Sequence, residues 1–336
     1  MKIRRLSLAV TIGALLYGTG VSSVLADQNR APAMENSKVV LHDAKRTLVD
    51  AADIWSSIAQ AEVSSTNMPK AFLGGIDTYV FNSLVHKEQR QFQISVAVPR
   101  TYKDSGKSYP VLYSLDANSE FGIMVETARL LAMAGSIPEI IIVGVGFPVG
   151  GYFLSTLERR RLDYTPTVLT SEKEKKRVRF PLDQFGGGAP ELLAFMRQQL
   201  MPFIEKKYRA KSDDRAVFGH SLGGLFTTYA LFQSNGLFQR FILGSPSLLW
   251  DAGVIFKMEE KYAKTHSALS AKIFVSIADN EGYAQAVPDF DRIVKVFEQR
   301  KYTNLQWTAH VFEDETHVSV LPATISRGLR TIYSEK

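Results

Sequence analysis

The chain has 336 residues, 45% of them hydrophobic, a formal net charge of +6 and no cysteine. That length and apolar content suit one large α/β domain with insertions, and the missing cysteine excludes disulfides and thiolate chemistry. Three of the positive charges, Lys2, Arg4 and Arg5, fall in the first 26 residues, and the mild charge of the remainder argues against a nucleic-acid binder.

Behind those charges comes an apolar run, Leu6 to Leu16, and then Val24-Leu25-Ala26 before Asp27. This is the pattern of a removable signal peptide over residues 1–26, cleaved after Ala26, and it predicts a periplasmic or secreted protein. The apolar run is too short for a permanent membrane anchor. Residues 27–70 read as a lead-in segment, polar at first and weakly helical from Leu41 to Ala61. The remainder, 71–336, is expected to form one domain.

From Thr78 to Val98 the pattern alternates, with Phe92, Ile94, Val96 and Val98 apolar, which predicts an antiparallel strand pair. Tyr109 to Leu115 is a continuous apolar run, as expected of a central strand covered on both faces. A helix from Met124 to Met133 and a second central strand from Glu139 to Val145 follow. Strand, helix and strand in this rhythm predict a mostly parallel, doubly wound sheet with helices on both faces. Residues 147–188 lack a regular period and read as a lid-like insertion. It contains Arg159-Arg160-Arg161, where Arg160 and Arg161, with Trp250 further on, are candidate substrate-binding residues. Pro190 opens a helix with Leu192, Met196, Leu200 and Ile204 four apart, expected to kink at Pro202.

Arg215 to Phe226 reads as a buried strand turning sharply into a helix through Gly219-His220-Ser221-Leu222-Gly223. A G-x-S-x-G elbow needs glycine on both sides because neighbouring backbone crowds the turn, and the turn lifts the serine hydroxyl clear of the sheet. Ser221 is therefore the candidate nucleophile. A serine hydroxyl needs an imidazole base, itself oriented by a carboxylate. Further strands are expected at Phe241 to Leu243, at Lys272 to Ile277 and from Leu305 to Phe312. Of six histidines, His42 and His86 precede the elbow, His220 lies within it, His266 sits in a polar helical stretch and His310 within the last strand. His317 alone occupies the loop between the last strand and the last helix, where a base belongs in the order serine, acid, histidine. For the acid, Glu281 is favoured over Asp279, both in the loop after the penultimate strand, with a Ser–His dyad as the alternative. The oxyanion hole is assigned to the backbone N–H groups of Leu222 and Asn118. No spacing of histidines and carboxylates suggests a metal, and no glycine-rich phosphate loop suggests a nucleotide, so no cofactor is expected.

These residues resemble a known group of α/β hydrolases, the esterase family that includes ferric-enterobactin esterases, esterase D and the mycolyl-transferases. The resemblance is carried by Tyr109 to Asp116, Arg160 to Pro166, Gly186-Gly187-Gly188, Gly219 to Gly224, Ser245-Pro246-Ser247 and Glu313 to Pro322. It implies the α/β-hydrolase fold, Ser221 as nucleophile, His317 as base, Glu281 as orienting acid and the amides of Asn118 and Leu222 as oxyanion donors. The periplasmic trilactone-siderophore branch is the most similar. The expected function is thus an exported serine carboxylesterase acting on a small-molecule ester. The rivals are acyl transfer or acetyl- or feruloyl-ester hydrolysis on the same residues, and a non-catalytic ligand-binding relative.

Overall fold

The structure is a computed structural model that describes residues 38–40, 48–50, 74–86, 89–149, 153–171 and 186–334. The chain divides into two compact units after Lys70. In the first, β1 (Lys38–Val40) pairs antiparallel with β2 (Leu48–Asp50), Val39 opposite Val49. Leu48–Asp50 is extended where a weak helical pattern was expected, since strand pairing overrides a marginal propensity. The rest of that pattern and the signal-peptide expectation lie outside the described residues.

The second unit is built on eight strands. In chain order its elements begin with β3 (Ile76–Asn82), β4 (Gln91–Ala97), β5 (Tyr109–Ser114), α1 (Ala117–Met133), β6 (Ile141–Gly146) and α2 (Phe153–Asp163). Next come α3 (Ala189–Phe195), a wide π turn (Met196–Leu200), α4 (Met201–Lys207), β7 (Ala210–His220) and α5 (Leu222–Gln233). Last are β8 (Arg240–Gly244), α6 (Trp250–Ala263), β9 (Ala268–Asn280), α7 (Ala286–Arg300), β10 (Thr303–Thr316) and α8 (Leu321–Tyr333). The sheet order is β3-β4-β6-β5-β7-β8-β9-β10. β3 and β4 are antiparallel to each other and β4 to β6, while every pairing from β6 to β10 is parallel. The mostly parallel doubly wound sheet with an antiparallel N-terminal pair is therefore present.

Every residue of β5 and β6 is buried. Side chains alternate between the faces of the central strands, so Val217, Phe241 and Ile273 feed one core layer with Phe195, Phe226 and Phe256, while Phe218, Ile242 and Phe274 feed the other with Phe121, Ile325 and Leu329.

Several boundaries differ from expectation, α1 starting at Ala117 and β9 spanning Ala268–Asn280, and three of the differences have a direct physical reason. Leu192, Met196, Leu200 and Ile204 are all fully buried although a spacing of four drifts around a 3.6-residue helix; the π turn absorbs the drift immediately before Pro202, which cannot donate into the preceding turn. α2 lies inside the segment expected to be irregular, because its buried face is made of arginine stems rather than an apolar stripe. β10 runs on through Glu313–Thr316, expected as a loop, and re-pairs Thr316 with Asn280 after a register shift that places Asp314 at φ 60. Residues 150–152 and 172–185 of the expected insertion lie outside the described residues.

Candidate active site

Parallel strands gather their C-terminal ends on one edge of the sheet, and the loops leaving β5, β7, β8, β9 and β10 meet there. At the end of β7, Ser221 adopts φ 61 and ψ −118, a strained conformation for a residue with a side chain. Two glycines allow the turn. A Cβ on Gly219 would lie 2.2 Å from the carbonyl oxygen of Gly223, and one on Gly224 would lie 2.8 Å from both the carbonyl oxygen of Gly244 and the Cα of Pro246. The turn is fastened to β8, since Ser221 N donates to Gly244 O at 2.9 Å and Ser247 N donates to Ser221 O at 3.0 Å. The Ser221 hydroxyl has Ser247 Oγ as a neighbour at 3.4 Å. α5 begins at Leu222, whose N–H belongs to the first helical turn and has no intrahelical acceptor.

At the far side of the cleft His317 follows β10, and its Nδ1 is hydrogen-bonded to Glu281 Oε2. Ala278 N donates to Glu281 Oε1 at 3.0 Å, so both carboxylate oxygens are engaged. Burial pushes this carboxyl up, but the hydrogen bonds from His317 and Ala278 N–H, with the Ser245 hydroxyl nearby, outweigh it and hold Glu281 below its ordinary value of 4.5. Asp279 does different work: its carboxylate accepts from Asp314 N at 3.0 Å and Glu315 N at 3.2 Å, pinning the end of β10. Between the two acids left open by the sequence, Glu281 is the one that meets the imidazole.

Nδ1 is thus committed to Glu281, and Nε2 is the nitrogen left to exchange a proton. The His317 ring centroid lies 4.8 Å from that of His220, the residue before Ser221, which puts the imidazole at the elbow. The edge of Tyr283 approaches the same ring at 6.2 Å. The other described histidines lie elsewhere, His86 hydrogen-bonded to Ser83, His266 stacked on Tyr262 and His310 beside Arg327. Among the described residues, no group of three or more histidines and carboxylates could hold a metal ion.

The loop after β5 faces the elbow from the other flank. Asp116 adopts φ 54 and starts α1, so the Asn118 amide belongs to the first helical turn. The Asn118 side chain clamps the end of β6, donating to Phe147 O at 2.8 Å and accepting from Phe147 N at 2.8 Å. This leaves its own backbone N–H as the group available to an oxyanion.

Of the three candidate substrate-binding residues, Arg160 is fully buried, its guanidinium paired to Asp116 at 2.6 and 3.0 Å. It is turned into the protein and has no surface to offer a ligand, a correction to its expected place. Arg161 is also buried. Trp250 is 6% exposed, and its indole donates to Thr167 O at 3.1 Å, anchoring the strand bridge between Val168 and Gly186. Burial of a guanidinium cannot be read from a run of arginines, which looks the same on a solvated face.

Replacing Glu281 by glutamine is expected to lower ester turnover at neutral pH by roughly 10²- to 10⁴-fold, because an amide cannot stabilise the imidazolium. A carboxyl held below its ordinary value confers stability that is present above 4.5 and lost as pH falls through the lower folded value. Melting temperature should therefore decline less steeply between about pH 5 and pH 3 in Glu281→Gln than in the parent, as differential scanning calorimetry would measure.

A family model described as "Putative esterase" matches residues 86–281. The chain is 32% identical over 256 residues to the ferri-bacillibactin esterase BesA of Bacillus subtilis, covering 72% of this chain and 85% of that one. It is 28% identical to the siderophore enterobactin esterase of Emericella nidulans, covering 72% and 89%. Among solved structures, the IroE-like serine hydrolase from Shewanella oneidensis superposes with a TM-score of 0.66 at 26% identity, covering 77% of this chain and 80% of that one. An elbow serine, a carboxylate-bound histidine at the same sheet edge and these matches together establish that the chain belongs to the esterase family of α/β hydrolases.

Proposed function

We propose that this chain is an exported serine esterase that cleaves ester bonds through an acyl-enzyme on Ser221, with siderophore lactones as the substrate class. The hydrogen bond between His317 Nδ1 and Glu281 at the nucleophile elbow carries this reading. As the Ser221 oxygen bonds to the ester carbonyl carbon, its proton passes to His317 Nε2, and Glu281 stays ionised beside the imidazolium. The Leu222 and Asn118 N–H groups receive the negative charge that develops on the carbonyl oxygen. Collapse of the tetrahedral intermediate breaks the bond to the alcohol oxygen, which takes the proton from His317. Water then repeats the cycle on the acyl-enzyme and returns Ser221 to its hydroxyl form. The chemistry is complete without a cofactor.

A siderophore substrate is supported by the bacillibactin and enterobactin esterases that the chain resembles, and export by the signal pattern of residues 1–26. The test is a competition among a catecholate trilactone with and without iron, p-nitrophenyl butyrate and methyl ferulate. Trilactone is expected to exceed the other esters in kcat/KM by about tenfold or more. A preference for ferulate or the simple ester would reject the lactone assignment while leaving the serine chemistry standing.

A further inference from the structure

We propose that His220, the residue before the nucleophile, is a positioning residue for His317: its ring N–H, donated to the main-chain carbonyl of His317, fixes the loop that carries the imidazole to Ser221. The inference rests on the assignment of His317 as the base. His220 Nε2 lies 2.7 Å from His317 O, bridging residues 97 apart in sequence. His220 is 5% exposed and ends β7, which is hydrogen-bonded between β5 and β8 in the middle of the sheet. His317, by contrast, follows the edge strand β10, whose end is pinned through Asp314, Glu315 and the pairing of Thr316 with Asn280. The bond from His220 thus ties the His317 carbonyl to the central strand β7 by a side chain.

The charge state of His220 agrees with this role. Burial, with the adjacent His317 ring adding to it, pulls the His220 imidazole down to about 3, so it is neutral at working pH. The hydrogen bond to His317 O opposes this, Arg160, whose Nη2 reaches His220 O at 3.4 Å, adds to the lowering, and Glu281 opposes it. A neutral imidazole has one N–H, and a carbonyl acceptor requires it on Nε2. Nδ1 is then a bare acceptor, buried close against Gly244 with no hydrogen-bond partner among the described residues. Neutrality also has a benefit: a cationic His220 would oppose the imidazolium that His317 becomes during the reaction, with the rings 4.8 Å apart.

The test compares His220→Leu, His220→Asn and His220→Gln with Ser221→Ala and His317→Ala controls, using p-nitrophenyl butyrate, fluorophosphonate labelling rates and thermal melting. Glutamine can place an N–H where Nε2 stands; leucine has no donor, and the asparagine amide is too short to reach. His220→Leu is expected to lose about 10- to 100-fold in kcat with KM within about twofold, and labelling to slow in parallel. His220→Gln should recover most of that loss. Should His220→Leu fold poorly, His220→Asn takes its place with the same expected loss. Parental kcat in the leucine and asparagine variants, or a glutamine variant no better than leucine, would overturn the proposal. Turnover surviving in Ser221→Ala or His317→Ala would instead remove the base assignment beneath it, and this inference with it.

Discussion

Replacing Ser221 by alanine is expected to lower kcat for ester hydrolysis by roughly 10⁴- to 10⁶-fold, because the covalent route is lost while binding and oxyanion stabilisation remain. The loss should fall in kcat rather than in substrate affinity. Folding should be little affected, within about 1 kcal/mol, since the hydroxyl is a small group whose neighbour Ser247 Oγ is 3.4 Å away. The backbone of the elbow is held by other means, namely the bonds from Ser221 N to Gly244 O and from Ser247 N to Ser221 O, and the glycines that let β7 and α5 approach. A near-parental melting temperature with abolished turnover is the combined result to look for. Turnover within tenfold of the parent would move the chemistry to another residue.

Arg160→Met is expected to destabilise the fold by about 3–5 kcal/mol, the largest stability effect anticipated for a single position here. The Arg160 side chain is 0% exposed and that of its partner Asp116 is 2% exposed, so methionine fills much of the space but leaves a carboxylate buried without its cation. The damage does not stop at the pair. Glu120, one helical turn on, is pushed well above the ordinary carboxyl value by burial and by the Asp116 charge, and Arg160 is what relieves it. Removing the guanidinium therefore leaves the Asp116 carboxylate uncompensated beneath the nucleophile and drives Glu120 further toward its neutral form. Lysine should not rescue, because the two bonds at 2.6 and 3.0 Å require a planar fork. Adding Asp116→Asn to Arg160→Met should restore part of the lost stability. Chemical denaturation of the three variants measures all of this, and Arg160→Lys at parental stability would contradict it. Whatever fraction of Arg160→Met folds is expected to have lowered kcat, since Asp116 leads into the turn that presents the Asn118 amide.

Much of this architecture is legible in the sequence because its signals are local. Fully buried parallel strands read as continuous apolar runs, and β5 and β6 do. The elbow reads because strain and crowding demand glycine at fixed offsets, as at Gly219 and Gly223. His317 was legible from chain order, through its loop position after the last strand. What stayed hidden depends on tertiary partners. Nothing in the spelling of Arg159-Arg160-Arg161 shows that the middle guanidinium turns inward to a carboxylate 44 residues earlier. Glu281 and Asp279 are two carboxylates two residues apart at the end of β9, and only the fold separates the one bonded to His317 from the one bonded to the amides of Asp314 and Glu315. His220 lies inside the elbow, where order along the chain gives it no role as base, and that position is what lets its ring reach His317 O. Ser247 stands in a family motif that assigns it no role and Tyr283 in none, yet they lie against Ser221 and His317.

The account stands or falls on the hydroxyl at 221 being the group that becomes acylated. Incubating the folded protein with a fluorophosphonate and mapping the product by peptide mass spectrometry measures this directly. A single adduct on Ser221, formed much more slowly in His317→Ala, is the expected result. No adduct, or one on a different serine such as Ser247 in protein that still hydrolyses ester, would contradict it.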